Sequence, residues 1–153
     1  MAKKILNNNK QALFNYETLE TYQAGLVLSG PEVKAVKGSQ ISLKGSYISI
    51  DHQGEAWLVG SHVSPYLPAK TAQIKYDPDR RRKLLLHKKE INALIGKSAQ
   101  KGLTIIPICV YTIKGLVKLD IALARGKTKI DKRETIKKRE VDREIRRSLR
   151  QSR

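Results

Sequence analysis

The chain has 153 residues, enough for one domain with a moderate hydrophobic core and an appendage. Lys and Arg outnumber Asp and Glu by 31 to 14, so the formal net charge at pH 7 is +17 and the sequence pI is about 10.1. Such a charge opposes compaction and favours an anionic partner, with nucleic acid ahead of an anionic membrane surface.

The sequence lacks the features of exported and membrane-bound proteins. The longest apolar stretch, 105–110, contains Pro107 and is far too short to span a bilayer. No apolar core follows the lysines near the N-terminus, so we expect no secretory signal. The single cysteine, Cys109, excludes an intramolecular disulfide, and its apolar neighbours predict a buried packing role. These observations favour a cytoplasmic protein with no membrane attachment.

Catalytic and metal-binding patterns are also lacking. His52, His62 and His87 show no zinc-site spacing and no neighbouring cysteine cluster. The sequence contains no nucleophile elbow, no P-loop and no dinucleotide-binding glycine motif. We therefore expect no metal, no cofactor and no enzymatic activity.

The first part of the chain predicts a loose arm followed by strands. Residues 7–12 are polar and turn-forming, which is typical of a mobile N-terminal segment. Phe14 and Tyr16 have strand spacing, and a core role is favoured over base stacking for two aromatics that begin a strand. Residues 22–28 are also strand-like.

A short helix is predicted at 31–37, with a proline at its first position and Gly38 as its terminator. Glu32 then lies in the first turn, where the helix dipole favours a carboxylate. A second interpretation is open, because a carboxylate retained among so many cations can accept hydrogen bonds from base N–H groups.

The middle of the chain predicts a hairpin, a loop and a long helix. Residues 41–59 form the hairpin, with Gly54 in its turn. Two prolines make 64–68 a rigid loop. A helix is expected from 77 to about 95, closed by Gly96. Its apolar face would consist of Leu84, Ile91, Leu94 and Ile95.

A second hairpin is predicted for 104–112 and 116–124, around Lys114 and Gly115. The return strand alternates apolar residues with Lys118, Asp120 and small residues, which is typical of a strand with one buried face. Several short strands interrupted by two helices favour a small antiparallel barrel.

The C-terminal segment from Arg125 to Arg153 has thirteen cations against five carboxylates, a net charge of +8. Asp131 and Glu134 have capping-box spacing, so a helix is expected to start at Lys132. Two acid-first (i, i+4) pairs support it, Glu134 with Lys138 and Asp142 with Arg146. Val141, Ile145 and Leu149 form a stripe only one side chain wide, which is too narrow to pack on a core. Two interpretations stay open: a segment that a polyanion orders, and an ordinary solvated tail.

Several of these stretches together resemble one family, the SsrA-binding proteins (small protein B) of bacterial trans-translation. The matching pieces occur in the family's order across nearly the whole chain. They are 9–12 with Phe14 and Tyr16, 24–30 with 32–34, 77–78, 82–91, 125–127 and 131–133.

The resemblance implies a mainly β protein, an OB-type antiparallel barrel with a few helices. Its body would span 1–130. Residues 131–153 would form a basic tail, disordered when free and helical on the ribosome. The family's function would make this chain an adaptor that binds the tRNA-like domain of tmRNA. It would deliver that RNA to stalled ribosomes, with elongation factor Tu in the delivery complex.

Site residues follow from the same resemblance, position by position. RNA contacts are expected from Asn9, Lys10, Glu32, Lys34, Lys118, Arg125 and Lys127. The tail would enter the empty messenger channel of the small subunit and reach the decoding centre. Its expected contacts there are Ile130, Asp131, Lys132, Arg133, Lys137, Lys138, Arg139, Arg143, Ile145 and Arg146.

The sequence departs from the family pattern at a few positions. Pro31 replaces an aromatic residue, and 35–37 is Ala-Val-Lys where Ser-Leu-Arg is more usual. Ile130 stands where some members carry a residue that stacks on a ribosomal base, so it offers apolar contact alone. An alternative function is a structural protein of the small ribosomal subunit, and a hydrolase or nuclease is disfavoured by the missing motifs.

Overall fold

The computed structural model of the protein describes residues 3–66 and 75–151. Within these ranges the protein is mainly β, with one large antiparallel sheet, a two-stranded sheet and four helices. The strands are β1 (Lys4–Asn8), β2 (Tyr16–Leu26), β3 (Ile41–Ser42), β4 (Tyr47–Ile50), β5 (Ala56–Val59), β6 (His62–Val63), β7 (Arg82–Leu85), β8 (Leu103–Ile113) and β9 (Leu116–Gly126). The helices are α1 (Lys10–Asn15), α2 (Gly30–Lys37), α3 (Lys88–Ser98) and α4 (Lys129–Gln151).

The large sheet has the strand order β1-β8-β9-β2-β7-β5-β4, and every pairing is antiparallel. Strands β2, β8 and β9 have eleven residues each and form its centre. The sheet curls so that β4 contacts β8. In the described ranges no hydrogen-bonded ladder joins the edge strands β1 and β4. The small sheet pairs β3 with β6.

The second predicted hairpin is present, and the first is present over 47–59; residues 41–42, predicted as part of it, form β3 and pair with β6 instead. In the β8–β9 turn, Lys114 and Gly115 have φ of 52° and 78°, the left-handed conformation that a two-residue hairpin turn requires. Gly54 has φ of 77° in the β4–β5 connection. Local turn chemistry therefore specifies both connections.

The main core lies on the concave side of the sheet and includes Leu58, Leu84, Leu119 and Ile121, each at most 2% exposed. Helix α1 covers a smaller cluster on the other face, where Ala12 packs with Ile106, Ala122 and Ala124. The return strand therefore buries its alanines as well as its large apolar residues. Cys109 is buried, as predicted.

The helix predicted for 77–95 is wrong. Residues 82–85 form β7, which pairs with β2 and β5, and α3 begins only at Lys88. Leu84 accordingly belongs to the sheet, Ile95 is exposed, and Gly96 lies inside the helix rather than at its end. The run of leucines at 84–86 fits either type of element, and pairing with distant strands decides between them.

The predicted loose N-terminal arm is also wrong within the described range. Lys4–Asn8 pairs with β8, and Asn9 caps α1. Phe14 therefore lies in a helix, and the strand begins at Tyr16. Of the predicted loop 64–68, residues 64–66 are irregular and 67–68 lie outside the described residues.

Helix α4 begins three residues earlier than predicted. Its cap is formed by Thr128 and Asp131, whose hydroxyl and carboxylate each accept a hydrogen bond from the other's backbone N–H, both at 3.2 Å. The expected box of Asp131 with Glu134 is therefore wrong. No ion pair within 4.0 Å joins the described side chains of α4, so the predicted (i, i+4) pairs do not form.

Candidate nucleic-acid interface

Helix α2 starts with the predicted carboxylate at its third position. The Glu32 carboxylate accepts a hydrogen bond from the Ser29 backbone N–H at 2.9 Å, and the Ser29 hydroxyl accepts from the Glu32 N–H. Pro31 and the C-cap Gly38 complete the helix as the sequence predicts. This local cap fixes the direction of the Glu32 side chain.

The Glu32 carboxylate is buried, 1% exposed, and it anchors two arginines from the segment that leads into β7. Arg80 donates to one carboxylate oxygen. Arg82 donates to the other from Nε at 2.8 Å, with its Nη2 2.7 Å away. Arg82 is itself 0% exposed. A buried ion pair thus ties α2 to a segment about fifty residues further along the chain.

The remaining N–H groups of Arg82 are satisfied by Ser61, between β5 and β6, and by the loop before β7. They donate to the Ser61 hydroxyl at 3.1 Å, to the Pro78 carbonyl at 2.9 Å and to the Tyr76 hydroxyl at 2.9 Å. The Tyr76 hydroxyl also lies 2.8 Å from the Val63 carbonyl, to which it donates. Such full satisfaction is what a buried guanidinium requires. We call Glu32, Arg80, Arg82 and Tyr76 the Glu32 network.

The pKa of the Glu32 carboxyl reflects this environment. Burial alone would raise that pKa, but hydrogen bonds from Arg80, from the Ser29 backbone and from Arg82 outweigh burial and lower it from 4.5 to about 2. The carboxylate is therefore charged at neutral pH, and both of its oxygens accept hydrogen bonds from within the protein. This side chain also faces inward, so the structure does not present it as an accessible acceptor; contact of Glu32 with RNA stays a prediction.

Asn9, the next expected RNA contact, is also buried, at 3% exposed. Its side-chain amide donates to the Pro107 carbonyl at 2.9 Å, and its side-chain oxygen accepts from the Ala12 N–H at 3.3 Å. Asn9 therefore positions α1 over β8. The neighbouring Lys10 is exposed at the start of that helix.

The expected cations fall into two groups on the sheet. Arg125 is opposite Glu17 near the start of β2, and the Lys127 N–H donates to the Asn15 carbonyl at the end of α1. Lys118 is opposite Gly25, near the other end of β2. Along β9, Lys118 and Arg125 are seven residue steps apart, a distance of about 23 Å. The exposed Lys34 lies on α2, which follows that other end, with its ammonium 5.6 Å from the centre of the Tyr66 ring.

The expected tail contacts lie on α4. From Ile136 to Arg150 every side chain is exposed, and Ile130 is 67% exposed. Among the described residues, the first turns of α4 touch the body: Lys127 donates to the Thr135 hydroxyl at 3.0 Å, and the Arg139 guanidinium lies 5.5 Å from the Phe14 ring centre. The helix therefore presents two faces to solvent, a basic one and a narrow apolar one.

Arg80, Arg82 and Tyr76 are functional residues that the sequence pattern does not predict, because a run of three arginines is also typical of the solvated face of a helix. The alternation of buried Arg82 and Leu84 with more exposed Lys83 and Leu85 is the strand signal that identifies them. A stacked pair is likewise not predicted from the sequence: the Arg81 guanidinium lies 4.0 Å from the Trp57 ring centre.

In the described part of the chain, no group of His, Cys, Asp and Glu side chains is placed to hold a metal ion. Across residues 3–66 and 75–151, no helix combines the length and apolar character needed to cross a bilayer. The expected RNA cations therefore lie in two groups, one beside α1 and one at the other end of β9 near α2, and the expected tail residues lie along α4. The buried Glu32 network fixes α2, which carries Lys34.

Comparisons with known proteins give this arrangement a context. A family model described as SmpB protein matches residues 6–151. The SsrA-binding protein of Sulfurihydrogenibium sp. is 48% identical over 149 residues, covering 97% of this chain and 96% of the relative. That of Persephonella marina is 49% identical over 145 residues, covering 95% and 93%.

A solved structure described as "tmRNA-SmpB: a journey to the center of the bacterial ribosome" contains a chain with the same fold. It is 40% identical, has a TM-score of 0.65, and the match covers 85% of this chain and 93% of that one. On the family match and on this identity over nearly the full length, the chain belongs to the SmpB family.

Proposed function

We propose that the protein binds the tRNA-like domain of tmRNA and delivers it to stalled ribosomes, so that the unfinished peptide is tagged for degradation. The observation that carries this proposal is the family match over residues 6–151, together with relatives named SsrA-binding proteins at 48–49% identity. The net charge of +17 suits a partner made of phosphates. The protein acts as an adaptor rather than as an enzyme.

The body, residues 1–130, holds the RNA. Its curved antiparallel sheet, in which β4 reaches β8, supports an OB-type barrel. Lys10, Lys34, Lys118, Arg125 and Lys127 contact RNA directly through their cationic ends. Asn9 and Glu32 act indirectly, because both are buried and bonded: Asn9 holds α1 and Glu32 holds α2.

The tail, residues 131–153, reaches the decoding centre through the empty messenger channel. Helix α4 has few contacts with the body, so it is only marginally stable when free and becomes firmly ordered when it binds there. Its exposed cations and narrow apolar stripe, Val141, Ile145 and Leu149, support this role. Asp131, Lys132 and Arg133 lie nearest the decoding centre. Elongation factor Tu accompanies the complex, which places the protein in the cytoplasm.

Sequencing of the RNA that co-purifies with the full-length protein tests this function. The expected result is one abundant small RNA with a tRNA-like end, in excess over ribosomal RNA. Stoichiometric recovery with small subunits in the absence of such an RNA would instead establish the structural ribosomal role.

A matched pair of variants then tests the RNA surface of the body. Lys34→Glu and Lys44→Glu change the charge equally, and both lysines are exposed. We expect Lys34→Glu to weaken binding to the tRNA-like domain by about tenfold or more. Lys44→Glu is expected to have a small, purely electrostatic effect. Equal losses would exclude a specific contact by Lys34.

A further inference from the structure

The outer face of strands β4, β5 and β7 carries aromatic and cationic side chains that no role described above uses. Residues paired across these strands share one face, so Trp57 is flanked by Ser49 on β4 and by Lys83 on β7. Tyr47, 48% exposed, is opposite Val59 and therefore lies on the same face. The opposite face, with Ile48, Leu58 and Leu84, is the core.

Trp57 is held in one orientation on this face. Its indole N–H donates to the Asp51 carboxylate at 2.9 Å, and Asp51 in turn accepts from the Glu55 N–H at 2.9 Å. The Arg81 guanidinium lies over the indole ring, 4.0 Å from its centre. The ring is therefore pre-organised: it already has one orientation in the free protein, so ligand binding causes little further loss of side-chain conformational entropy.

Arg81 is exposed, and among the described residues no acceptor receives a hydrogen bond from its guanidinium. The neighbouring Arg82, by contrast, is buried and fully bonded. Lys83 adds a second, half-exposed cation on the same face, 3.1 Å from Glu55. The planar Arg81 guanidinium, stacked on the indole, provides a flat surface on which a base can stack. Its free N–H groups and the neighbouring Lys83 provide two positive charges for a phosphate.

We propose that this face, centred on Trp57 and Arg81, binds an unpaired nucleotide of single-stranded RNA. The base stacks on the Arg81–Trp57 pair, and Lys83 with the free N–H groups of Arg81 receives the flanking phosphates. Stacking of this kind tolerates any base, because every base has a π face. This contact is additional to binding of the tRNA-like domain and uses none of the residues assigned to that domain.

Trp57 is the only tryptophan in the sequence, so its fluorescence reports on this face alone. The full-length protein is titrated with a fluorescein-labelled oligouridylate of about eight nucleotides, a length within the range that one OB fold covers. RNA anisotropy and Trp57 emission are followed together at low salt. We expect both signals to change with the same midpoint. An unchanged Trp57 emission while the RNA binds, or no binding of the oligouridylate, would overturn the proposal.

Arg81→Lys and Arg147→Lys form the matched pair for stacking, because each keeps the charge and removes the planar guanidinium from an exposed site. Arg81→Lys should weaken oligouridylate binding by at least about fivefold, the lower end of one stacking contact, and Arg147→Lys by less than twofold. Equal losses of affinity in the two variants would mean that Arg81 contributes only its charge, and they would overturn the stacking contact. Binding of the tRNA-like domain uses a different RNA, so either proposal can fail while the other stands.

Discussion

The Glu32 network and helix α4 both combine arginines with glutamates, but they expose them to opposite environments. In the network Glu32 and Arg82 are almost completely removed from solvent, and every polar atom of the pair has a partner. In α4 the charges from Ile136 to Arg150 all face water, and none of the described side chains forms an ion pair within 4.0 Å there.

Desolvation determines how much the charges of each region contribute to the free energy of unfolding. Removing one partner of a buried pair leaves an uncompensated charge in the interior, which costs about 3–5 kcal/mol. An exposed pair contributes about 0–1 kcal/mol. Stability is therefore concentrated in the network, whereas α4 keeps its charges available for a partner.

Glu32→Gln should give the largest loss, about 3–5 kcal/mol, because the buried Arg82 loses its counter-charge and one acceptor oxygen becomes an amide donor. At this chain length the melting temperature should fall by roughly 10 °C or more. Glu144→Gln on the exposed face of α4 is the matched control, with a change below about 0.5 kcal/mol. Equal melting temperatures for the two variants would contradict the structural role of Glu32.

Acid should weaken the same contact. The Glu32 pKa is lowered to about 2 in the folded protein from its ordinary 4.5. Its contribution is therefore complete above pH 4.5 and is lost as the pH falls toward 2. That contribution is about 3 kcal/mol. The melting temperature of the wild type should fall toward that of Glu32→Gln over this range. A difference in melting temperature between the two proteins that stays constant down to pH 2 would contradict the stabilising role of the ionised Glu32 carboxylate.

Much of the fold follows from local sequence signals. Both hairpin turns, helix α2 with its caps and the burial of Cys109 are confirmed, because turn glycines, capping residues and apolar neighbours act over a few positions. Strand β7 was misassigned since its leucines and cations fit a helix equally well. Only pairing with β2 and β5, contributed by segments far away in sequence, makes it a strand.

The candidate site was predictable as a list of residues but not as an arrangement. The family pattern singles out Glu32 and Asn9, yet their burial depends on Arg82 and on the Pro107 carbonyl, about 50 and 98 residues away. The periodicity of apolar residues along the sequence gives no information about contacts between residues so far apart in the chain. The exposure of α4, by contrast, follows directly from its narrow apolar stripe, so that part of the expectation is confirmed.

The two helix caps allow a smaller test of the same contrast. Ser29 caps α2 beside the network, and Thr128 caps α4. Ser29→Ala should lower global stability by about 1 kcal/mol, because α2 is packed on the body. Thr128→Ala removes an equal local interaction but should leave the melting temperature unchanged, with the loss visible as faster amide exchange in the first turn of α4. Equal shifts in melting temperature would mean that α4 unfolds together with the body.

Truncation after Ile130 should change stability least and function most. It removes the Thr135 contact with Lys127 and the Arg139 contact with Phe14, both at the surface, so the free energy of unfolding should change by less than about 1 kcal/mol. Specific binding of the tRNA-like domain should persist, while non-specific RNA binding falls with the lost cations.

Tagging on stalled ribosomes should nevertheless stop, since ordering a marginally stable tail takes up to about 1–2 kcal/mol per residue and only ribosomal contacts can supply that free energy. Ile145→Pro in the full-length chain is the matched variant: it keeps the charge, breaks the helix and should reproduce much of the failure. Near-normal tagging by the truncated protein would make α4 an electrostatic tether alone. If truncation lowered the melting temperature as much as Glu32→Gln does, α4 would instead contribute to the stability of the body.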